Sequence, residues 1–209
     1  MKQDLLAQKT ELIAILVKKG IRNKRLLDAI FDVPRELFVP EQMSNLAYKN
    51  KELAITEDLI LPSPHIMSLM LEAAEISIYQ KVLEIGTGSG YVTAILSRLC
   101  KDVYSVEENE SLAAATSWKL DRMGYKNVTV CFSRAKSIIK RGIRTVICNN
   151  VINDYSRLVK IIKPETVLIV QTGEGIVRKI LKIEKNQNGK VFKNTVAQIA
   201  IEKIACYVM

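Results

Sequence analysis

The sequence predicts an α/β protein in which a mostly parallel sheet of seven strands ends in an antiparallel hairpin and follows a helical extension. Three observations support this fold class. An apolar run leads through a glycine turn into a helix at residues 82–99, strand-like and helix-like segments alternate over residues 82–172, and the last two strand-like segments flank Asn188-Gly189. Such alternation favours parallel strands with right-handed crossovers, and Asn-Gly between two alternating segments indicates a hairpin.

The N-terminal third is predicted to be helical, with chain breakers between its helices. Apolar residues recur at helical spacing in three segments, and Gly20 suits the end of the first. These helices are expected over residues 3–19, 23–31 and 66–76. Residues 33–55 contain too many breakers for a long element, and residues 59–64 form an apolar loop before Pro64-His65 opens the third helix.

From residue 82 the predicted elements alternate. Short apolar runs rich in β-branched residues indicate strands, and longer segments with one apolar face indicate helices. The expected strands are residues 82–85, 103–106, 128–132, 145–148 and 166–172, then 177–185 and 191–201 in the hairpin. The expected helices are residues 92–99, 112–123 and 155–162, with a short helical or irregular piece at 136–141.

Length and composition indicate a single globular domain. The 209 residues are 48% hydrophobic, with a mean hydropathy of +0.09, which suffices for a sizeable core. No apolar run reaches the ~18 residues of a membrane span, and the polar opening is unlike a signal peptide. The four cysteines lie far apart without metal-ligand spacing, so we expect a cytoplasmic protein with no metal site.

The chain is basic, with a formal net charge of +9. Its lysines are scattered and few aromatic residues lie among them, so we expect no nucleic-acid partner. A functional basic face is the alternative to a charge that only promotes solubility.

The glycine turn is the strongest functional signal. In VLEIGTGSGY the glycines stand at alternate positions, Gly86, Gly88 and Gly90, and a helix follows directly. Glycines let the backbone approach a ligand, and a helix N-terminus offers unpaired N–H groups. The spacing differs from the dinucleotide fingerprint G-x-G-x-x-G, and the Gly-Lys-Ser/Thr of a P-loop is absent. The turn therefore predicts a site for a small polar cofactor of another kind.

A second carboxylate indicates that this cofactor contains a ribose. Glu107 follows the next strand, 23 residues after Glu84, close to the ~20 expected for a carboxylate that accepts ribose hydroxyls. The predicted cofactor-binding residues in these segments are Glu84, Gly86, Thr87, Gly88, Ser89, Gly90 and Glu107.

The order of the motifs resembles the protein-L-isoaspartate O-methyltransferase family over roughly residues 30–173. The matching segments are VPRELFVP, Ala47-Tyr48, Pro64-His65, VLEIGTGSGY, VYSVE and Gly124 before NVTV. The resemblance implies a Rossmann-like class I methyltransferase sheet, S-adenosyl-L-methionine (SAM) as cofactor, and methyl transfer to the carboxylate of L-isoaspartyl residues in damaged proteins. The single domain then divides into a helical extension (1–55), a substrate loop (56–68), a SAM-binding core (69–173) and a hairpin (174–209).

The substrate loop departs from the family's pattern. Where the family carries threonine and serine hydroxyls that hold the acceptor carboxylate, this chain has Ile60 and Pro62. Proline donates neither a side-chain nor a backbone hydrogen bond. Ser63 lies one residue further on, so we expect Ser63 to be the catalytic residue, with Ile60, Pro62 and His65 binding the substrate.

The adenine turn departs as well. Where the family has Gly-Asp-Gly, whose aspartate meets the adenine amino group, this chain has Ser133-Arg134-Ala135. We expect Ser133 and Arg134 to bind the cofactor here, but arginine has no acceptor for the amino group, so we expect weaker affinity. Elsewhere, Trp118 is expected to pack in the core or in a groove, and Arg35 is expected either to pair with Glu36 or to fix the substrate loop.

Three functions stay open. The first is carboxyl methylation of isoaspartyl peptides, which needs no general base because a carboxylate with a pKa near ~4 is already anionic. The second is a SAM-binding paralogue with another substrate, and the third is a binding module without catalysis. Nucleic-acid amino methylation is disfavoured because residues 148–151 read CNNV rather than Asn/Asp-Pro-Pro-aromatic. We expect a peptide or protein partner, no membrane association, and a monomer or weak dimer.

Overall fold

A single large sheet organises the computed structural model, which describes residues 2–133 and 142–200. The helices are α1 Lys2–Lys18, α2 Lys24–Asp32, α3 Pro64–Ala73, α4 Tyr91–Leu99, α5 Glu110–Arg122 and α6 Ser156–Ile161. The strands are β1 Leu53–Ala54, β2 Ile60–Leu61, β3 Lys81–Ile85, β4 Asp102–Glu107, β5 Val128–Phe132, β6 Thr145–Val151, β7 Thr166–Thr172, β8 Val177–Lys185 and β9 Val191–Ala200. Two 3₁₀ helices, Arg35–Phe38 and Glu41–Leu46, lie between α2 and β1.

Seven strands pair in the order β5-β4-β3-β6-β7-β8-β9. The strands from β5 to β7 run parallel, and β8 and β9 extend the sheet as antiparallel strands at one edge. This confirms the predicted fold class and the predicted hairpin. The strand order reverses between β3 and β6, and ligands of open α/β sheets bind outside the carboxyl ends of the strands at such a switch point. The glycine turn follows β3 and therefore lies at this point.

Both faces of the sheet are covered. Neighbouring residues on a strand point to opposite faces, so Val82 and Leu83 belong to different buried clusters. The Val82 cluster contains buried side chains of α1 to α4, while Leu158 and Val159 of α6 pack against the Leu83 cluster. The burial of one such side chain contributes roughly 1.5–3 kcal/mol to the stability of the fold. Because α1 and α2 place several buried side chains in the Val82 cluster, the helical extension is part of the core.

The structure shifts several predicted boundaries. Helix α3 begins at Pro64, as the Pro64-His65 start predicts, because Ser63 accepts a hydrogen bond from Ile66 N and caps the helix, and because proline suits the first turn. It ends at Ala73 and not at the predicted residue 76. Strand β6 continues to Val151 with an irregular register after Cys148. The predicted piece at residues 136–141 lies outside the described residues.

Residues 53–61 form a small two-stranded flap instead of a plain loop. Strand β1 pairs antiparallel with β2, with Leu53 opposite Leu61 and Ala54 opposite Ile60. Leu61 is buried while Ile60 is exposed, because alternate residues of a strand face opposite sides.

One core assignment was wrong. Trp118 is 67% exposed on α5, with the Arg122 guanidinium 5.4 Å from its ring centre. Helical spacing did not distinguish the buried face of α5 from this exposed one. Within the described residues, no helix combines the length and the apolar character needed to span a membrane.

Candidate functional site

The glycine turn after β3 requires glycine for steric reasons. Gly88 has a φ of +54°, and a Cβ there would lie 3.0 Å from Leu59 of the flap. Gly90 has a φ of +86°, and a Cβ there would lie 2.7 Å from the Thr116 methyl group on α5. Left-handed φ values favour glycine at both positions. A Cβ at Gly90 would also force Thr116 to move, and a Cβ at Gly88 would force a small shift of Leu59. The turn is therefore packed tightly between the flap and α5.

Glu107 is held by backbone amides at the end of β4. Its Oε2 accepts a hydrogen bond of 3.0 Å from Gly88 N, and its Oε1 accepts from Glu108 N and Asn109 N. A carboxylate offers about four acceptor positions. Glu107 therefore keeps acceptor capacity for a ligand hydroxyl while its orientation is set by the protein.

Glu84 lies behind the turn. Its side chain is fully buried, and its carboxylate accepts hydrogen bonds from Thr93, Ser105 and Asn149. Burial raises the pKa of Glu84 to about 7, although the three donors oppose that effect. Asn149 also donates to Gly86 O at 2.9 Å, so Glu84 supports the turn through Asn149.

Two cavities meet at the carboxyl ends of the strands. The first has a volume of about 400 Å³. Its lining residues are Glu52, Asp58, Leu59, Ile60, Leu61, Pro62, Gly86, Thr87, Gly88, Ser89, Val92, Glu107, Leu112, Asn149, Asn150, Val151, Gln171 and Arg178. The second, of about 780 Å³, shares four of them and adds Ser133. The shared residues are Gly86, Glu107, Asn150 and Val151.

The predicted cofactor residues fall in three places. Those that line the first cavity are Gly86, Thr87, Gly88, Ser89 and Glu107, and Ser133 lines the second. Gly90 is the N-cap of α4, and Glu84 lines neither cavity. Arg134 lies outside the described residues.

The substrate loop is clamped from behind by Arg35. This fully buried guanidinium donates to the carbonyls of Ala47, at 2.7 Å, and Pro62, at 2.8 Å, and lies 4.6 Å from the Tyr91 ring centre. Ile60 and Pro62 line the first cavity. Arg35 therefore fixes the substrate loop rather than pairing with Glu36, which accepts a hydrogen bond from Tyr48.

Ser63 and His65 lie elsewhere. Both line another cavity, of about 80 Å³, which shares Glu52 with the first. The Ser63 hydroxyl accepts from Ile66 N at 3.3 Å as the cap of α3. Burial and the charge of Lys19 lower the pKa of His65, so its ring is neutral at pH 7. The structure thus brings Ile60 and Pro62 to the first cavity but not Ser63 or His65.

Sequence reasoning missed six polar residues that line the first cavity, namely Glu52, Asp58, Asn149, Asn150, Gln171 and Arg178. Asn149 and Gln171 stand at the carboxyl ends of β6 and β7, where Gln171 Nε2 donates to Asn149 O. The parallel alternation predicts that residues at these strand ends meet at one edge, which could have identified these two. Glu52 and Arg178 had no such signal, because Glu52 directly precedes the flap and Arg178 lies in the hairpin.

Known proteins resemble this chain in sequence. A family model for protein-L-isoaspartate(D-aspartate) O-methyltransferase matches residues 7–203. The protein-L-isoaspartate O-methyltransferase of Dictyoglomus turgidum is 43% identical over 121 residues, which are 58% of this chain and 55% of that protein. The enzyme of Protochlamydia amoebophila is 45% identical over 115 residues, 55% of each chain. The matched segment therefore spans little more than half the length of these curated relatives.

Solved structures agree in fold. A protein-L-isoaspartate O-methyltransferase superposes with a TM-score of 0.77 at 20% identity, covering 93% of this chain and 65% of that one. A second one, from Plasmodium falciparum and in complex with S-adenosyl-L-homocysteine, superposes with a TM-score of 0.72 at 15% identity, covering 91% and 95%. These likenesses support the fold, and the family match extends over nearly the whole sequence. The chain belongs to the protein-L-isoaspartate(D-aspartate) O-methyltransferase family.

Proposed function

We propose that the chain binds SAM across the two adjoining cavities and transfers its methyl group to the carboxylate of L-isoaspartyl residues in proteins or peptides. The observation that carries this proposal is the Glu107 carboxylate, which Gly88 N–H orients where the two cavities meet. Family membership supports the reaction, and the similar Plasmodium falciparum structure, a complex with S-adenosyl-L-homocysteine, supports the cofactor.

The residues present fit this cofactor. The first cavity, of about 400 Å³, has the size of a small-molecule pocket, for which ~300–1,000 Å³ is usual. Glu107 would accept the ribose hydroxyls with its remaining acceptor capacity. Ser89 and the backbone of the glycine turn would meet the amino-acid part, and Ser133 would face the adenine in the second cavity.

The chain's part in the reaction is to position the reactants. SAM, when bound, supplies a methyl group on a positively charged sulfur, which an acceptor carboxylate oxygen takes as the carbon–sulfur bond breaks. The acceptor is already anionic, so no residue has to remove a proton. Leu59, Ile60 and Pro62 form an apolar wall along the first cavity.

We expect transfer to isoaspartyl peptides to be slow. Ile60 and Pro62 offer no side-chain donor to the acceptor. The Ser63 hydroxyl accepts the cap bond from Ile66 N and keeps its own O–H to donate. It could bind the acceptor only if the loop shifted, so its catalytic role stays a proposal.

Labelled SAM tests the function directly. The protein is incubated with a synthetic isoaspartyl peptide and, separately, with its aspartyl counterpart, while calorimetry follows SAM binding. We expect SAM to bind and base-labile label to enter only the isoaspartyl peptide. SAM binding without label in either peptide would refute the substrate, and no SAM binding at millimolar concentration would refute the whole proposal.

A second candidate is methyl transfer to another acceptor. It is favoured by the three acidic residues that line the first cavity, Glu52, Asp58 and Glu107, because they repel an anionic substrate. Binding of SAM without isoaspartyl methylation would point to this candidate.

A cytoplasmic location is likewise proposed, supported by the free thiols of Cys100, Cys131 and Cys148. We also propose that the oligomeric state is a monomer or a weak dimer, which analytical ultracentrifugation would test.

A further inference from the structure

Arg178 is the only basic residue among the described residues that line the first cavity. It lies on β8, at the start of the hairpin, and faces the same cavity as Ile60 and Pro62 of the substrate loop. Among the described lining residues, Arg178 is therefore the one whose positive charge would attract an anionic acceptor in this cavity.

Backbone carbonyls at the start of the hairpin bind one nitrogen of the Arg178 guanidinium, and the group keeps further N–H donors. Nη1 donates to the carbonyls of Gly175, at 2.8 Å, and Val177, at 3.3 Å. Nε is buried and has no partner within residues 2–133 and 142–200. A guanidinium carries five N–H donors in a planar fork that matches a carboxylate, so the group can bind one in addition to these carbonyls.

Glu52 is the competing anion. It is 7% exposed and lines the first cavity with Arg178. Burial raises the pKa of Glu52, and the charge of Arg178 opposes this with the smaller effect. Glu52 therefore competes with an anionic acceptor for the charge of Arg178.

We propose that Arg178 binds the acceptor carboxylate, in place of the hydroxyl donors that the loop lacks at Ile60 and Pro62. This inference rests on the proposed function, because it names the residue that receives that function's substrate. The acceptor loses its charge during transfer, so a cation stabilises the bound reactant at least as much as the transition state. Arg178 should therefore lower KM without raising kcat.

The test compares an isoaspartyl peptide with the same peptide carrying a carboxamide in place of the isoaspartyl carboxylate. Calorimetry measures the binding of each to the protein loaded with S-adenosyl-L-homocysteine. We expect the native protein to prefer the acid and Arg178→Gln to lose about 10- to 100-fold in acid affinity, as for a lost charge-assisted hydrogen bond. Arg178→Lys should keep part of the preference. Glu52→Gln should strengthen acid binding.

Lys179→Gln is the matched control, since Lys179 is the exposed neighbour on β8 and the charge change is the same. It should leave the acid preference unchanged, and thermal unfolding of each variant checks that the hairpin is intact. In turnover, Arg178→Gln should raise the peptide KM while kcat stays the same or rises.

The outcomes separate this inference from the proposed function. Unchanged acid affinity in Arg178→Gln, with native turnover intact, overturns the inference and leaves the function standing. An acid preference that depends on Arg178 without methyl transfer supports the inference and refutes the function. A native protein that binds both peptides equally, or neither, overturns the inference.

Discussion

Glu107 makes the most specific contact of the candidate cofactor site, and its substitution is the first prediction. Glu107→Ala removes the acceptor for the ribose hydroxyls and frees the Gly88 amide. Because hydrogen bonds to charged groups contribute about 1.5–3 kcal/mol, SAM affinity should fall by a similar free energy, measured by calorimetry.

The control for Glu107→Ala is Asp121→Ala, which removes an exposed carboxylate that pairs with Lys126 on the surface. Such pairs contribute little, so SAM affinity and stability should stay near native values. Equal SAM affinity in Glu107→Ala and native protein would show that the cofactor binds elsewhere.

Glu84 makes stability depend on pH. Its pKa in the folded chain, about 7, lies above the ordinary 4.5, so the folded chain binds this proton more readily than the unfolded chain. Stability from this group is therefore lost as pH rises from about 4.5 through about 7. At about 1.4 kcal/mol per pKa unit, the loss is roughly 3 kcal/mol.

Glu84→Gln should flatten this part of the pH profile. Denaturant unfolding at about pH 5 and about pH 8 gives the free energy of unfolding at both ends. The free energy of unfolding of the native protein minus that of Glu84→Gln should be smaller at about pH 8 than at about pH 5. A pH profile of Glu84→Gln parallel to the native one would contradict the assignment.

At the scale of elements, the flap and the loop after it determine how the acceptor is held. Ile60→Thr with Pro62→Ser restores the two hydroxyls that the family pattern carries. The clamp should survive, because Arg35 binds the backbone carbonyl of residue 62 and not its side chain. Ser63 should be left unchanged, because losing this cap of α3 would cost about 1 kcal/mol.

This double change should raise isoaspartyl methylation by about 10²-fold, the lower part of the range for an oriented donor, because the acceptor loses charge during transfer. Ile60→Val with Pro62→Ala is the matched control, since it releases the proline without adding a hydroxyl. A similar gain in both double variants would attribute the effect to loop mobility. No gain in the hydroxyl variant would contradict the assigned role of the loop.

At the scale of the whole molecule, cofactor binding and folding are linked. The candidate site joins the sheet, the flap and the hairpin, so it exists only in the folded chain. A ligand at 100 times its Kd then stabilises the fold by about 2.7 kcal/mol. S-adenosyl-L-homocysteine should raise Tm with a logarithmic concentration dependence, and Glu107→Ala should need more ligand for the same rise. A Tm that does not respond to ligand would contradict the site.

The sequence by itself determined the parts of this protein that depend on neighbouring residues. The glycine turn, the alternation of strands and helices and the Asn188-Gly189 hairpin are local patterns, and they sufficed to predict the sheet and its antiparallel edge. A residue such as Gly90 is recognisable because its own backbone conformation and packing exclude other side chains.

Only the tertiary structure decided which side chains face the cavity. Ser63 was expected at the acceptor but caps α3 at another cavity, and Glu84 was expected at the cofactor but is buried behind the turn. Arg178 and Glu52 meet across a cavity although they lie far apart in the sequence. The physical reason is that side-chain direction and burial follow from long-range packing, which no short segment encodes.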